Sequence, residues 1–527
     1  MIISTVSKGK DVPPQELFRY NYGRFLVNED YEQAKRYSTF DIDALCQMVA
    51  ALPTVQSPII KIDKREGGYN KALMMTAENG GEVIAKIPCG NIVPREYGTA
   101  SEVAVLQFAR SRTPVSTVLA WSADQSNPVC SEYIVLEKSP GQQLTHVWDT
   151  VSESDRMQLI RGFAQLESSL ATIQFPGYGA LFLRHALPPS LKEDPNRTIA
   201  VDDDYCLGPL YHGSWPGGLP RIRKRRTLPD LGRSLAQQGI LQVRNYKTSY
   251  AGRGPHYGGP EEHLHMLERA MEVMPILAES HMLQRHSQGV LCHPDFHPGN
   301  IFVSKEDPTV IEGVIDWQFT RIMPRFTQVR WPLVLNPPEG YQTGMANPEL
   351  RPKYDREAKP HDQEQAQRQE QAMHTKCYEA ALVKSHLESY LTLTETDVSI
   401  RQLFVGCPYT YRDGIVPLRD SLIRIQQQWN RLGLPGQCPY RFTDEEIAGH
   451  EVQLREYQDW LKLREYTHQM LQSNDGGWVP PPRGLPQGAD QAREAVPAFC
   501  GFKEGEDVDG GCTEAVVFSR PGVEPVE

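Results

Sequence analysis

His293-Pro-Asp295-Phe-His297-Pro-Gly-Asn300-Ile-Phe-Val303 decides how this chain is read. It gathers an aspartate, two histidines and an asparagine on one short loop, and the apolar run 301–303 is expected to be the strand that holds it. Asp, Asn, Gly and Pro are also ordinary turn formers, so the loop alone does not establish chemistry. Sixteen positions past Asn300 comes Asp316, at the end of the apolar run Val314-Ile315 and just before Trp317. A loop aspartate, an asparagine five residues on and a later strand-end aspartate suit phosphoryl transfer. One carboxylate orients the attacking hydroxyl, while the asparagine and the second carboxylate hold magnesium against nucleotide phosphates. A rival reading takes His293, Asp295 and His297 as alternating ligands of a divalent metal in a hydrolase. It leaves Asn300 and Asp316 without a role.

Upstream, the pattern is a small sheet with one helix. Residues 57–63 read as a strand, Gly67-Gly68 as a turn, 69–77 and 82–88 as further strands. Asn79-Gly80-Gly81 between the last two is a hairpin signal, because these residues accept the positive φ of tight turns. Thr99-Ala-Ser-Glu102 reads as a capping box opening a helix to Arg110. A largely buried strand over 131–137 is punctuated by Lys138-Ser-Pro-Gly141. From Ser152 the period changes: Leu159, Phe163, Leu166, Leu170 and Ile173 mark one helical face. A second helix over 261–288 is expected to kink or split at Pro275. Two more, over 363–391 and 444–472, carry heavy polar faces. Residues 202–259, rich in Gly, Pro and Arg, read as loop, and the basic run Arg221-Ile-Arg-Lys-Arg-Arg226 as a solvated surface or a polyanion contact. Past Ser473 the chain turns Pro- and Gly-rich and is expected to be loosely ordered. The organisation is an N-terminal extension (1–55), a sheet lobe (56–140), a helical lobe (141–472) and a tail (473–527).

Composition bounds the rest. The chain has 527 residues, 55 Lys plus Arg against 66 Asp plus Glu, and 39% hydrophobic residues. That supports a sizeable core, and a net charge of −11 gives no basic face for nucleic acid. The closest two of its 10 cysteines, Cys500 and Cys512, stand twelve positions apart. This spacing excludes C-x-x-C metal or redox modules and points to a reducing intracellular compartment. No run approaches eighteen apolar residues, so no membrane span is expected. Residues 1–15 carry no apolar stretch and no arginine, so neither a secretory signal nor an ordinary mitochondrial leader is expected there.

His293-x-Asp295-x-His297-x-x-Asn300 followed by Ile315-Asp316-Trp317 resembles the aminoglycoside phosphotransferase family, part of the wider protein-kinase-like fold. Phe18-Arg-Tyr20, residues 99–109 and Ala120-Trp-Ser-Ala123 extend the resemblance to its fungal altered-inheritance-of-mitochondria 9 branch. The resemblance implies an α+β, bilobal fold: a small antiparallel-sheet N-lobe with one helix and a larger, mainly helical C-lobe. It implies Asp295 as catalytic base, and Asn300 and Asp316 as magnesium ligands. Lys86 would contact the nucleotide phosphates with Glu102 as its ion-pair partner, and Gly67 and Gly68 would cover the phosphates. The backbone at Leu136 and Glu137 would face adenine, and His293 and His297 would brace the loop. The implied cofactors are ATP and Mg2+, and the partners a nucleotide and a small-molecule hydroxyl acceptor, with no nucleic acid. The implied address is mitochondrial or cytoplasmic. A catalytically silent kinase-like scaffold is the alternative. A protein kinase is disfavoured, because no D-F-G and no A-P-E-like segment follows the loop. Two features depart from the family: Pro294 stands where glycine is frequent, and the Arg-rich stretch 213–238 matches nothing in it.

Overall fold

Alternation of apolar residues along Asn70–Ala77 and Glu82–Pro88 buries Leu73, Met75, Val83, Ala85 and Ile87 on one face, and this face organises the N-terminal lobe. A computed structural model describes residues 3–26, 28–211, 225–245, 254–344 and 360–480. The lobe is a seven-stranded sheet in the order Lys10–Asp11, Ser4–Ser7, Ile59–Glu66, Asn70–Ala77, Glu82–Pro88, Tyr133–Glu137, Val118–Ser122. All pairs are antiparallel except Ser4–Ser7 with Ile59–Glu66. Gly80, at φ +86°, makes the tight turn expected between the central strands.

Residues 1–55 contribute more than an extension. Besides the first two strands they supply a helix, Ile42–Ala50, whose Leu45, Cys46 and Val49 pack on the buried sheet face. A further helix, Tyr97–Ala109, is buried along most of its length and joins the core shared with the C-terminal lobe. It starts two residues before the expected capping box. The Thr99 hydroxyl donates to Glu132 Oε2 at 2.6 Å, and Glu132 also accepts the Glu96 N–H at 2.9 Å. The residue just before the strand Tyr133–Glu137 therefore satisfies the helix start, and Glu102 has no capping duty.

The C-terminal lobe is mainly helical, the overall class being α+β. The expected helix is Glu153–Ala171, and Ser152 caps it by accepting the Asp155 N–H. Pro260–Glu279 runs through Pro275, which is buried; the break comes at Ser280, whose hydroxyl caps the short helix His281–Arg285. Residues 225–245 are not loop. Leu228–Asn245 is a helix whose Leu231, Leu235 and Ile240 lie in the C-lobe core. Its Gly232 and Gly239, which read as loop signals, permit close packing: a Cβ on Gly239 would stand 2.5 Å from the Cys407 carbonyl oxygen and 2.8 Å from Leu267. The rest of the basic stretch, including Arg221, lies outside the described residues. Helices Val398–Gly406 and Val416–Gln427, not read from the sequence, complete this core. After the long helix Asp444–Leu471, Trp478–Val479 returns to pair with Arg24–Phe25; residues 481–527 of the tail lie outside the described residues. The described cysteines are free thiols, and no described helix is long and apolar enough to cross a membrane.

The helix Leu228–Asn245 gives a direct test. Gly239→Ala should lower the unfolding free energy by about 1–3 kcal/mol, because overpacking outweighs the gain in helix propensity. Gly449→Ala, where a Cβ meets nothing within 4 Å, should raise it by up to about 1 kcal/mol. Urea unfolding of the two variants beside wild type reads both.

Candidate active site

The catalytic-loop segment is built on short-range hydrogen bonds. The Asn300 N–H donates to the His297 carbonyl at 2.9 Å, closing the turn Pro298–Asn300. Strand Ile301–Val303 then pairs with Ile311–Val314 on one side and Gln142–Gln143 on the other. The Ile315 N–H donates to the Asn300 carbonyl at 2.9 Å, which sets Asp316 beside Asn300. Where the two lobes join, Gly141 sits at φ +76°, and a Cβ there would lie 2.2 Å from the Val303 carbonyl oxygen. Only glycine fits.

His293 is buried, and backbone groups occupy both of its ring nitrogens: Nδ1 accepts the Asp295 N–H at 3.1 Å, and Nε2–H donates to the Ile315 carbonyl at 2.9 Å. Burial pushes its pKa down to about 4. A neutral histidine so engaged is a brace and has no nitrogen left for a metal, so the alternating-ligand reading falls. His297 accepts the Gly299 N–H at Nδ1, and its Nε2 lies 3.4 Å from Asp295 Oδ2. This contact holds the Asp295 carboxyl below, and the His297 imidazolium above, its ordinary pKa. Asn300 donates its side-chain amide to the Asp295 carbonyl at 2.9 Å. Arg330, which sequence reasoning missed, donates to the Pro294 carbonyl at 2.8 Å. Asp295 itself is exposed.

Across the cleft, Lys86 Nζ lies 2.6 Å from Glu102 Oε1 and 3.1 Å from Asp316 Oδ1. Burial lowers the Lys86 pKa, but the two carboxylates more than offset it, and the net shift is upward. Burial pushes Glu102 up against the pull of Lys86. The expected trio therefore meets at one ammonium, charged over the whole neutral range.

Gly67 and Gly68 have no positive φ, and a Cβ on either meets nothing within 4 Å. The fold itself does not require glycine there. Gly67 N–H donates to the Asn70 carbonyl at 3.2 Å, and the Gly68 carbonyl accepts Arg36 Nε at 3.1 Å. Arg36 comes from the helix Glu29–Arg36, and nothing in its local sequence marks it. Glu137 N–H donates to the Thr117 carbonyl at 2.9 Å, and Leu136 lies inside the ladder between Ile84 and Val118. The Glu137 amide is thus taken by the sheet.

The donor set of Asp316 and Asn300 fits magnesium. Asp316 uses Oδ1 for Lys86 and retains Oδ2, while Asn300 uses its amide nitrogen and retains Oδ1. Two such oxygens suit a hard cation.

The model of the phosphotransferase enzyme family matches residues 66–329, which runs from the glycine turn through the catalytic loop to the segment after Asp316. The chain belongs to the phosphotransferase enzyme family. Within this family it is similar to a subtelomeric hrmA-associated cluster protein of Aspergillus fumigatus, 25% identical over 75% of this chain and 84% of that one. It is also similar to the altered inheritance of mitochondria protein 9, mitochondrial, of Yarrowia lipolytica, 22% identical over 91% and 87%. Among solved structures, the GDP and kanamycin complex of an APH(2″) enzyme is 12% identical, covers 78% of this phosphotransferase-family chain and 98% of its own, and superposes with a TM-score of 0.36.

The His293 brace makes the fold of this family member acid-sensitive. Folded His293 resists protonation down to about pH 4, whereas the unfolded residue protonates near 6.5. The unfolded state binds the extra proton in that window, so stability is present above pH 6.5 and falls as pH drops towards 4. The loss attributable to this residue is about 3 kcal/mol. Urea unfolding at stepped pH should show a flatter decline in His293→Asn than in wild type.

Proposed function

We propose that this protein is an ATP-dependent phosphotransferase that moves the γ-phosphate to a hydroxyl of a small molecule. The observation that carries the reading is the meeting of Lys86, Glu102 and Asp316 at one point, with Asn300 and Asp295 hydrogen-bonded on the adjoining loop. Catalysis of this kind is positioning plus electrostatics. Bound magnesium would neutralise phosphate charge from Asp316 and Asn300. Lys86, held by Glu102, adds a fixed positive charge to the phosphates. The acceptor oxygen forms its bond to phosphorus as the bond to the leaving diphosphate breaks, and Asp295 orients that hydroxyl and takes its proton. His297 and Asn300 keep Asp295 in place. The open space at Gly67 and Gly68 leaves room for phosphate oxygens to approach the backbone. The names of the yeast relatives support a mitochondrial address, which co-fractionation of a tagged chain with mitochondrial markers would test.

Saturating ATP with magnesium, at 100 times its dissociation constant, should stabilise the protein by about 2.7 kcal/mol in a thermal-shift series. Asp316→Ala should abolish that gain and Asp295→Ala should retain it, while losing phosphoryl transfer to any acceptor found. Gly67→Ala should unfold like wild type yet bind the nucleotide more weakly. Absence of any metal-dependent shift in wild type would sink the proposal and leave a non-catalytic scaffold.

A further inference from the structure

The glycine turn and the metal-holding loop belong to different lobes, yet they are joined directly. Asn70, the first residue of its strand, donates its amide to Gln318 Oε1 at 2.7 Å, and Gln318 Nε2 donates back to Asn70 Oδ1 at 3.3 Å. Both residues are buried. Next to this ring of two hydrogen bonds, the Tyr69 ring meets Phe319 edge-on at 5.0 Å. Residues 69–70 thus pack on 318–319, two and three positions past Asp316.

The loop needs such a hold. Asp316 and Phe319 stand at φ +65° and +63°, on either side of Gln318. Left-handed backbone at non-glycine residues persists only where surroundings over-determine it. Inside its own lobe the loop has the buried Trp317, whose Nε1–H donates to the Val314 carbonyl, and the Thr320 hydroxyl on the Trp317 carbonyl. From the other lobe it has Lys86 and Asn70. The Asn70 carbonyl also closes the turn by accepting the Gly67 N–H. One asparagine therefore touches both the turn and the loop.

We propose that Asn70 and Gln318 are a positioning pair that carries the Gly67-Gly68 turn and Asp316 to the nucleotide as one unit. They act through the neighbours they hold and touch neither phosphate nor metal. The nucleotide part of this inference rests on the phosphotransferase reading; the latch itself does not.

The test is a double-mutant cycle on the full chain with Asn70→Leu, Gln318→Leu and the double variant, beside the swap Asn70→Gln with Gln318→Asn. In urea without nucleotide, each single change leaves a buried amide without its partner, so the double variant should be less destabilised than the sum of the singles. By calorimetry, either single change should weaken MgATP binding by about tenfold while changing metal-free ATP binding little. The swap, which keeps two facing amides and their combined length, should return MgATP binding to within about twofold of wild type. If a leucine variant does not fold, Asn70→Asp, which keeps one of the two hydrogen bonds, takes its place and should fall between. An additive cycle, or folded single variants that bind MgATP like wild type, overturns the proposal. A wild type that binds no MgATP overturns the phosphotransferase reading instead, and the urea cycle then judges the latch alone.

Discussion

The Lys86 ammonium, shared by Glu102 and Asp316, is the constraint on which the rest of the structure depends. A largely buried charge is tolerated only when it is paired and its hydrogen bonds are met. Here the three groups come from the middle of a strand, a buried helix and the loop after a C-lobe strand. Keeping all three within reach fixes where Tyr97–Ala109 lies against the sheet and how closely the Asp316 loop approaches it. It also explains why another carboxylate, Glu132, satisfies the start of that helix. Glu102 faces the lysine, so Glu132, just ahead of the strand Tyr133–Glu137, receives Thr99.

Much of the candidate site was legible because its parts are local in sequence. The loop 293–303 carries its own turn, and the side-chain hydrogen bonds of His293, His297 and Asn300 span five residues or fewer, apart from the one from His293 to Ile315. Strands 70–77 and 82–88 announced themselves by alternation and an Asn-Gly turn. What was not legible depends on distant partners. Arg36 and Arg330 look like any surface arginine, and only the fold brings them to the Gly68 and Pro294 carbonyls. Glu137 ends its strand, and only the fold brings the Thr117 carbonyl, twenty residues back, to its amide.

The misread helix at 228–245 has a physical lesson of its own. Glycine weakens a helix in isolation, and two glycines with a proline at the start suggest loop. Packed against Met274, Leu267 and the Cys407 carbonyl, the same glycines are what lets two helices approach. Tertiary packing overrides the local preference.

Trp478 stands far from the chemistry in sequence, yet it closes the molecule on itself. Its strand pairs with Arg24–Phe25, its ring stacks on Tyr22 at 5.4 Å, and Gly23 is packed so closely beneath it that no side chain fits. The stretch it secures leads directly into the helix that sends Arg36 to the glycine turn. The block matched by the family model begins at Glu66, part-way through a buried cluster with Lys64 and Lys71, and ends at residue 329. A fragment trimmed to that block would lose Lys64, the strands Lys10–Asp11 and Ser4–Ser7, the helix over the sheet and Arg36, and would split an ion cluster at its first residue. The family's shared block is therefore a unit of chemistry and ancestry, while the unit of folding is the nearly complete circuit from the first strand to Trp478.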